Sequence, residues 1–533
     1  MATKVEELKA NTSFEEIWSK ILHYGKSGWE QITNDDAQLL KYYGVYLRKK
    51  TPGYFMIRVR VPGGILENGK FTVSQLKVLA EIVEKYGRDF LDITTRQSIQ
   101  LRWVKFEDVP EALGKLNKVG LTSMQTGFDN IRNITTCPVA GLGASEVIDT
   151  RAIVKEVHEA LIGNWKYANL PRKLNITIIG CKDDCTHAEI NDISFTPAEK
   201  NGVVGFHVWI GGGLGPWGTQ KSWFLDSFVK EEQVKEVCLR IIDLYSEFGN
   251  REKRNKARLK FLIDEWGIDA FKDRLQSILS FKLEKGGEEL TNPHPQSDHI
   301  GIHPQNNRNY VYAGMNVVTG RLYLTQIREL ICMAEEYGNG EVRLTTDQNI
   351  IIPNVKKDRI PEFKNEAVLS ELSINPSPFN RGLIACTGNT FCPFALIDTK
   401  TRAKELADYL DEKIGNQVLK AAGGLTIHAS GCPNSCGNPH TGQIGIIGKK
   451  IKLNGKPVEA ADLYLGAEHG LNGGFNELWK ARVPFNDAGP LLVEIIKRFI
   501  AEKYEEETFR EWCIRSGEIK GDTKEFAPML IGE

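Results

Sequence analysis

The sequence predicts an α+β protein of about three domains, built from two related halves about a pseudo-twofold axis. Three observations predict it. The chain has 533 residues, too many for one core when domains usually span ~100–200 residues. It matches itself at a shift of 251 residues without a gap: GKFTVSQLKVLAEIVEKYG (69–87) lies over GRLYLTQIRELICMAEEYG (320–338), ITTRQSIQL (93–101) over LTTDQNIII (344–352), and LNITIIGCKDDC (174–185) over LTIHASGCPNSC (425–436). Strand-period and helix-period segments also mix within each half. Such symmetry points to the boundary between the halves as the place for a cofactor.

In YFMIRVRV (54–61) apolar and charged residues alternate, so Ile57, Val59 and Val61 share one face of a strand and Arg58 and Arg60 the other. A helix follows. Thr72 caps it with Gln75 as capping-box partner, Leu76, Leu79 and Val83 form its apolar stripe, and Gly87 ends it. A second strand carries TTRQ, or TTDQ in the second half. Linkers are expected at PHPQSDHIGIHPQ (293–305) and SINPSPFN (373–380). The first holds His294, His299 and His303 among Pro and Asn without other ligands, which makes it a loop rather than a metal tract.

With 41% hydrophobic residues, 26% charged residues and a net charge of -1, the composition is that of an ordinary globular protein with no global attraction to nucleic acid or an anionic membrane. Nothing resembles a transmembrane span. MATKVEELKANTSFEEIWSK lacks the apolar stretch of a signal peptide, so the cytoplasm is the expected location. In a reducing compartment, ten Cys point to metal binding rather than disulfides.

ACTGNTFCP supplies Cys386 and Cys392, and SGCPNSCGNP supplies Cys432 and Cys436. Two close pairs of thiolates suit zinc or an iron–sulfur cluster, but C-x5-C with C-x3-C is wide for a zinc knuckle and favours a [4Fe-4S] cube. The first half echoes this with Cys137, Cys181 and Cys185, Cys137 standing five residues after Arg132 as Cys386 stands five after Arg381. Where Cys392 should have a counterpart the chain reads VAGLGAS, so three ligands at most remain and free or buried thiols are expected. Cys238, Cys332 and Cys513, in helical contexts without partners, are read the same way.

C-x5-C followed by C-x3-C inside GCPNSCG, with TTRQ and LPRK upstream and two related halves, resembles the nitrite and sulfite reductases that carry sirohaem and a [4Fe-4S] cluster, most nearly the ferredoxin-dependent nitrite reductases. The resemblance runs from about Tyr54 to the C-terminal region. It implies an N-terminal helical segment (1–50), ferredoxin-like half-domains at 51–120 and 301–372, a sirohaem and substrate domain at 121–300, and an iron–sulfur and sirohaem domain at 373–533. It also implies that Cys386, Cys392, Cys432 and Cys436 hold the cluster, with Cys436 bridging to the sirohaem iron. The implied reaction is the six-electron reduction of nitrite to ammonia, with ferredoxin as donor, by a monomer serving nitrate assimilation.

By the same resemblance Arg58, Arg132, Lys173 and Asn175 line the substrate pocket. A bound anion needs cations, and breaking N–O bonds need protons. Arg only orients and neutralises, so Lys173 is given the proton relay. Arg96, Gln97, Gln100, Arg172, Gln348, Asn349 and Arg381 match sirohaem-binding positions or their neighbours. GGGLG (211–215) lacks nucleotide-loop spacing and is read as close backbone approach to sirohaem. REKRNKARLKF (251–261) is read as a solvated face, or as a patch where an acidic ferredoxin docks. Asn175 separates substrates: Lys-x-Asn resembles nitrite reductases and Lys-x-Lys sulfite reductases, since the more highly charged sulfite gains more from a further cation. A sulfite reductase on the same fold and a non-catalytic zinc or iron–sulfur scaffold are the competing readings, and the scaffold needs none of the pocket cations.

Overall fold

The computed structural model describes residues 3–48, 50–68, 74–292 and 298–521. The alternation at 54–61 becomes strand Tyr54–Val59, with Ile57, Val59 and Val61 fully buried. Its other side does not face water. Arg60 is buried with its guanidinium on the carbonyls of Gln125, Ile131 and Arg132, and only Arg58 is left half-open. Helix Gln75–Tyr86 buries Leu76, Leu79 and Val83 and stops at Gly87, as expected. Its cap is Ser74, whose hydroxyl accepts the Lys77 N–H at 3.2 Å; Thr72 lies outside the described residues.

TTRQ is a turn and not a strand. It joins strands Phe90–Ile93 and Ile99–Lys105, because the Thr94 hydroxyl accepts the backbone N–H groups of Arg96 and Ser98 and so draws them away from any ladder. Gln97 and its counterpart Gln348 turn with φ of 50° and 66°, in the left-handed region.

Two five-stranded antiparallel sheets form the centre. One runs in the order Val45–Leu47, Tyr54–Val59, Ile99–Lys105, Phe90–Ile93, Arg321–Tyr323; the other runs Gly301–Pro304, Tyr310–Met315, Ile350–Lys356, Val342–Leu344, Ile65–Leu66. Each half thus lends its short edge strand to the other. Gln97 and Gln348 lock the exchange reciprocally: the Gln97 amide donates to the Leu344 carbonyl at 3.0 Å and the Gln348 amide to the Ile93 carbonyl at 2.9 Å. One hydrophobic core runs through both sheets and the N-terminal helix Phe14–Ser27.

Two further sheets share one topology. In the first, Ile176–Ile178 lies parallel to Ile193–Lys200, which is followed by antiparallel Val203–Ile210 and Trp223–Val229. In the second, Leu383–Ala385, Ile427–Ser430 and Ile444–Leu453 are parallel and Lys456–Leu465 and Glu477–Pro484 antiparallel. The shift of 251 residues carries Ile176 onto Ile427, Ile193 onto Ile444 and the start of helix Val234–Phe248 onto that of Phe485–Glu502. Each sheet has its own core.

The two expected linkers are structured joints. Residues 293–297, His294 among them, lie outside the described residues, but His303 belongs to strand Gly301–Pro304, and Pro378–Arg381 is a helical turn that buries Phe379. Where linker, first large sheet and second central sheet meet, a small cluster gathers Cys137, Cys181, Cys185, Tyr312, Ile351 and Leu471.

Candidate active site

The four cysteines expected to hold a cluster lie at the ends of two parallel strands. Cys386 directly follows Leu383–Ala385, Cys392 sits in the loop leading to helix Thr399–Ala422, and Cys432 and Cys436 follow Ile427–Ser430. Their thiols share one field: burial pushes Cys436 up to about 11, with Lys173 opposing and Cys386, Cys392 and Cys432 adding to the rise. They do not converge within the 4.8 Å that marks a single-ion site among the described residues. That spacing fits a cube, in which each cysteine binds a different iron. The Gly431 N–H donates to Cys386 Sγ at 3.2 Å, the kind of hydrogen bond that tunes cluster sulfurs. The glycines of GCPNSCG are steric necessities: a Cβ on Gly431 would stand 2.6 Å from the Thr399 hydroxyl, and one on Gly437 2.2 Å from the Ala429 carbonyl oxygen.

A group of cations faces this loop. Arg58 and Arg132 both donate to the Thr126 carbonyl, at 3.1 and 2.6 Å, and Arg58 also donates to the Tyr46 hydroxyl at 3.1 Å. Lys173 follows Arg172 into the same space; burial, Arg258 and then Arg132 and Arg172 lower its amine to about 7, while Cys436 opposes. Burial likewise lowers Arg132 to about 10 and Arg96 to about 9, with other guanidiniums of the pocket contributing. Thr95 ties TTRQ to the cluster loop by donating to the Cys436 carbonyl at 3.1 Å.

The electrostatic balance of this pocket is unusual. Arg172 and Arg254 share Asp129, and Arg258 grips Asp192. Among the described residues, Arg58, Arg96, Arg132 and Lys173 touch no carboxylate, and Lys173 makes no hydrogen bond. The Nε atoms of Arg58, Arg96 and Arg48 and the Oδ1 of Asn175 are buried without a hydrogen-bond partner. Buried charge of one sign is costly unless an opposite charge arrives. The donor set therefore fits a polycarboxylate such as sirohaem together with a small anion.

Several of the other expected residues are engaged within the protein. Gln97 spends its amide on the carbonyls of Thr136 and Leu344 and accepts the Thr136 N–H, and Gln348 bridges the Ile93 carbonyl and the Ala385 N–H, so both act as struts between the halves. Gln100 accepts from Arg102 and the Thr387 hydroxyl, and Asn349 accepts from Asn316 and the Val317 N–H. Arg381 is taken up by Asp298 on the opposite side of the pseudo-twofold. GGGLG approaches the protein itself: a Cβ on Gly212 would meet the Asn191 carbonyl oxygen at 2.5 Å, and one on Gly213 the Arg258 guanidinium at 2.7 Å. The arginines of the basic run turn inward, Arg251 on Glu6, Arg254 on Asp129 and Arg258 on Asp192, and leave Lys253 and Lys256 exposed. Tyr46 is the pocket group that sequence reasoning missed. It stands on the three-residue edge strand Val45–Leu47, too short to carry a period, and only its contact with Arg58 reveals it.

Four cysteines set for a cluster beside uncompensated buried cations define a redox metalloprotein with an anion pocket. The chain belongs to the nitrite and sulphite reductase family: the family's 4Fe-4S domain matches residues 127–283 and 377–519, and its ferredoxin-like half domain matches 47–119 and 303–368. It is 38% identical to a ferredoxin–nitrite reductase of Synechococcus elongatus over 94% of this chain and 96% of that one. It is 35% identical to an assimilatory ferredoxin-dependent nitrite reductase of Haloferax mediterranei over 97% of this chain and 92% of that one. The structure of the Mycobacterium tuberculosis NirA protein superposes with a TM-score of 0.89 at 29% identity, covering 96% of each chain.

Proposed function

We propose that the protein reduces nitrite to ammonia with six electrons supplied singly by ferredoxin. The observation that carries this reading is the convergence of Arg58, Arg132, Arg96 and Lys173, with no carboxylate among them, on the loop of Cys436. Cys386, Cys392, Cys432 and Cys436 would hold the [4Fe-4S] cluster, with Cys436 also linking to the sirohaem iron, and the pocket cations and amides would hold the sirohaem carboxylates. The two groups, when bound, supply electron storage and the metal at which nitrite is reduced.

The chain's own residues bind and protonate. Arg58 and Arg132, already anchored on the Thr126 carbonyl, keep guanidinium N–H groups for nitrite oxygens. Lys173, lowered to about 7 by burial, gives up a proton more readily than a solvated lysine and delivers it as each N–O bond breaks to leave water. Asn175 offers an amide where a further cation would favour sulfite. We divide the chain at 1–50, 51–120, 121–300, 301–372 and 373–533. Because the duplication brings both parts of the site together within one chain, it acts as a monomer. Ten cysteines without a disulfide suit the cytoplasm. Nitrite and sulfite turnover with one reduced ferredoxin tests the reading: nitrite is the better substrate by kcat/KM, and a preference for sulfite would refute it.

A further inference from the structure

The cysteines of the first half do not stand alone. Cys137 follows the segment bridged to Thr177, Cys181 and Cys185 follow strand Ile176–Ile178, and His299 comes from the joint between the halves. The ligand atoms of Cys137, Cys185 and His299 all lie within 4.8 Å of one another. The Cys181 thiol lies near those of Cys137 and Cys185 and donates to the Asp183 carbonyl at 2.8 Å, all four side chains are buried, and no disulfide joins them. Cys137 and Cys185 of the echo thus have a histidine neighbour that the repeat does not contain. The position equivalent to Cys392, six residues after Cys137, is Gly143, and the further donor is a histidine outside the repeat.

We infer that Cys137, Cys181, Cys185 and His299 bind one zinc ion in a closed structural site. The first support is distance. Cys137, Cys185 and His299 offer three donors within 4.8 Å of one another, as a single tetrahedral zinc with bonds of ~2.0–2.3 Å requires. The second is the way the imidazole is held. Its Nδ1 lies 3.1 Å from the Tyr312 hydroxyl, the sort of outer partner that fixes a ligand ring. Arg381 clamps both neighbours of His299, reaching Asp298 at 2.5 and 2.9 Å and the Ile300 carbonyl at 2.8 Å. The third is enclosure: Val139, Leu142, Ile179, Tyr312, Ile351 and Leu471 pack with the buried cysteines in one apolar cluster, a setting that suits a structural rather than a catalytic zinc. Cys238 and Cys513, each buried in a core without a second donor, show what an ordinary buried thiol looks like in this protein. Zinc here fastens the joint between the halves to the first large sheet.

The test is elemental analysis of the purified holoenzyme for zinc and iron together. About one zinc per chain is expected beside the full iron complement. In a Cys181→Ser, Cys185→Ser protein and in His299→Ala, zinc falls while iron, sulfide and the visible sirohaem bands persist, and His299→Cys restores zinc. Should the variants not fold, the wild-type zinc content decides by itself. Wild-type protein with all its iron and no zinc would overturn the inference, as would loss of half the cluster iron in the double serine protein, or a disulfide among the three cysteines.

Discussion

The two Gly-Cys turns occupy equivalent places about the pseudo-twofold, yet their surroundings have diverged. Beside Cys436 the partner half presents Arg132 on backbone carbonyls, with Arg58 and Lys173 close by, and among the described residues no carboxylate touches these three side chains. Beside Cys185 the partner half presents Arg381, and the joint between the halves fills the space with Asp298 and His299. One arginine is kept for a ligand from outside, and its counterpart holds a ligand from within. Both scaffolds are alike, and the joint that carries Asp298 and His299 fills the first.

The comparison breaks most easily at the cysteines. Cys432→Ser removes a cluster ligand, so nitrite turnover should vanish together with cluster iron and sulfide, whereas the paired serine changes at Cys181 and Cys185 should leave both in place. Lys173→Met should keep both cofactors and lower kcat by ~10²–10⁴-fold, the usual worth of a positioned proton donor. Its pH profile sharpens the point. Lys173 is lowered to about 7, a bound anion raises it again, and only the protonated amine donates; kcat/KM of the wild type should therefore fall as pH climbs through about 7, and kcat at higher pH. The Lys173→Met protein should lack that limb. The smallest effect is expected at Asn175, where Asn175→Lys should raise the sulfite-to-nitrite ratio of kcat/KM by about tenfold, equivalent to ~1.4 kcal/mol of differential transition-state binding. An unchanged ratio would remove Asn175 from substrate choice.

The comparison also shows what the sequence makes legible. The repeat, the four cluster cysteines and the apolar stripe of Leu76, Leu79 and Val83 depend on local spacing and could be read directly. TTRQ looked like a strand because its neighbours do, and only the Thr94 turn bonds and the positive φ of Gln97 show otherwise. The exchanged edge strands, Ile65–Leu66 and Arg321–Tyr323, are too short to carry a period. The inward turn of Arg254 and Arg258 depends on Asp129 and Asp192, distant in sequence, so a run of like charge misleads. His299 stands among Pro and Asn in the sequence, and nothing local to it reveals Cys137 and Cys185, which only the fold brings beside it.

The central claim is that only one of the two equivalent pockets does chemistry, and the most direct measurement is nitrite turnover of Arg132→Leu and Arg381→Leu side by side with reduced ferredoxin, each normalised to iron content. Loss of charge-assisted hydrogen bonds to substrate should cost the Arg132 variant roughly 10- to 100-fold in kcat/KM, while the Arg381 variant keeps wild-type turnover per iron and loses zinc and thermal stability instead. Equal losses of turnover in the two variants would contradict the account.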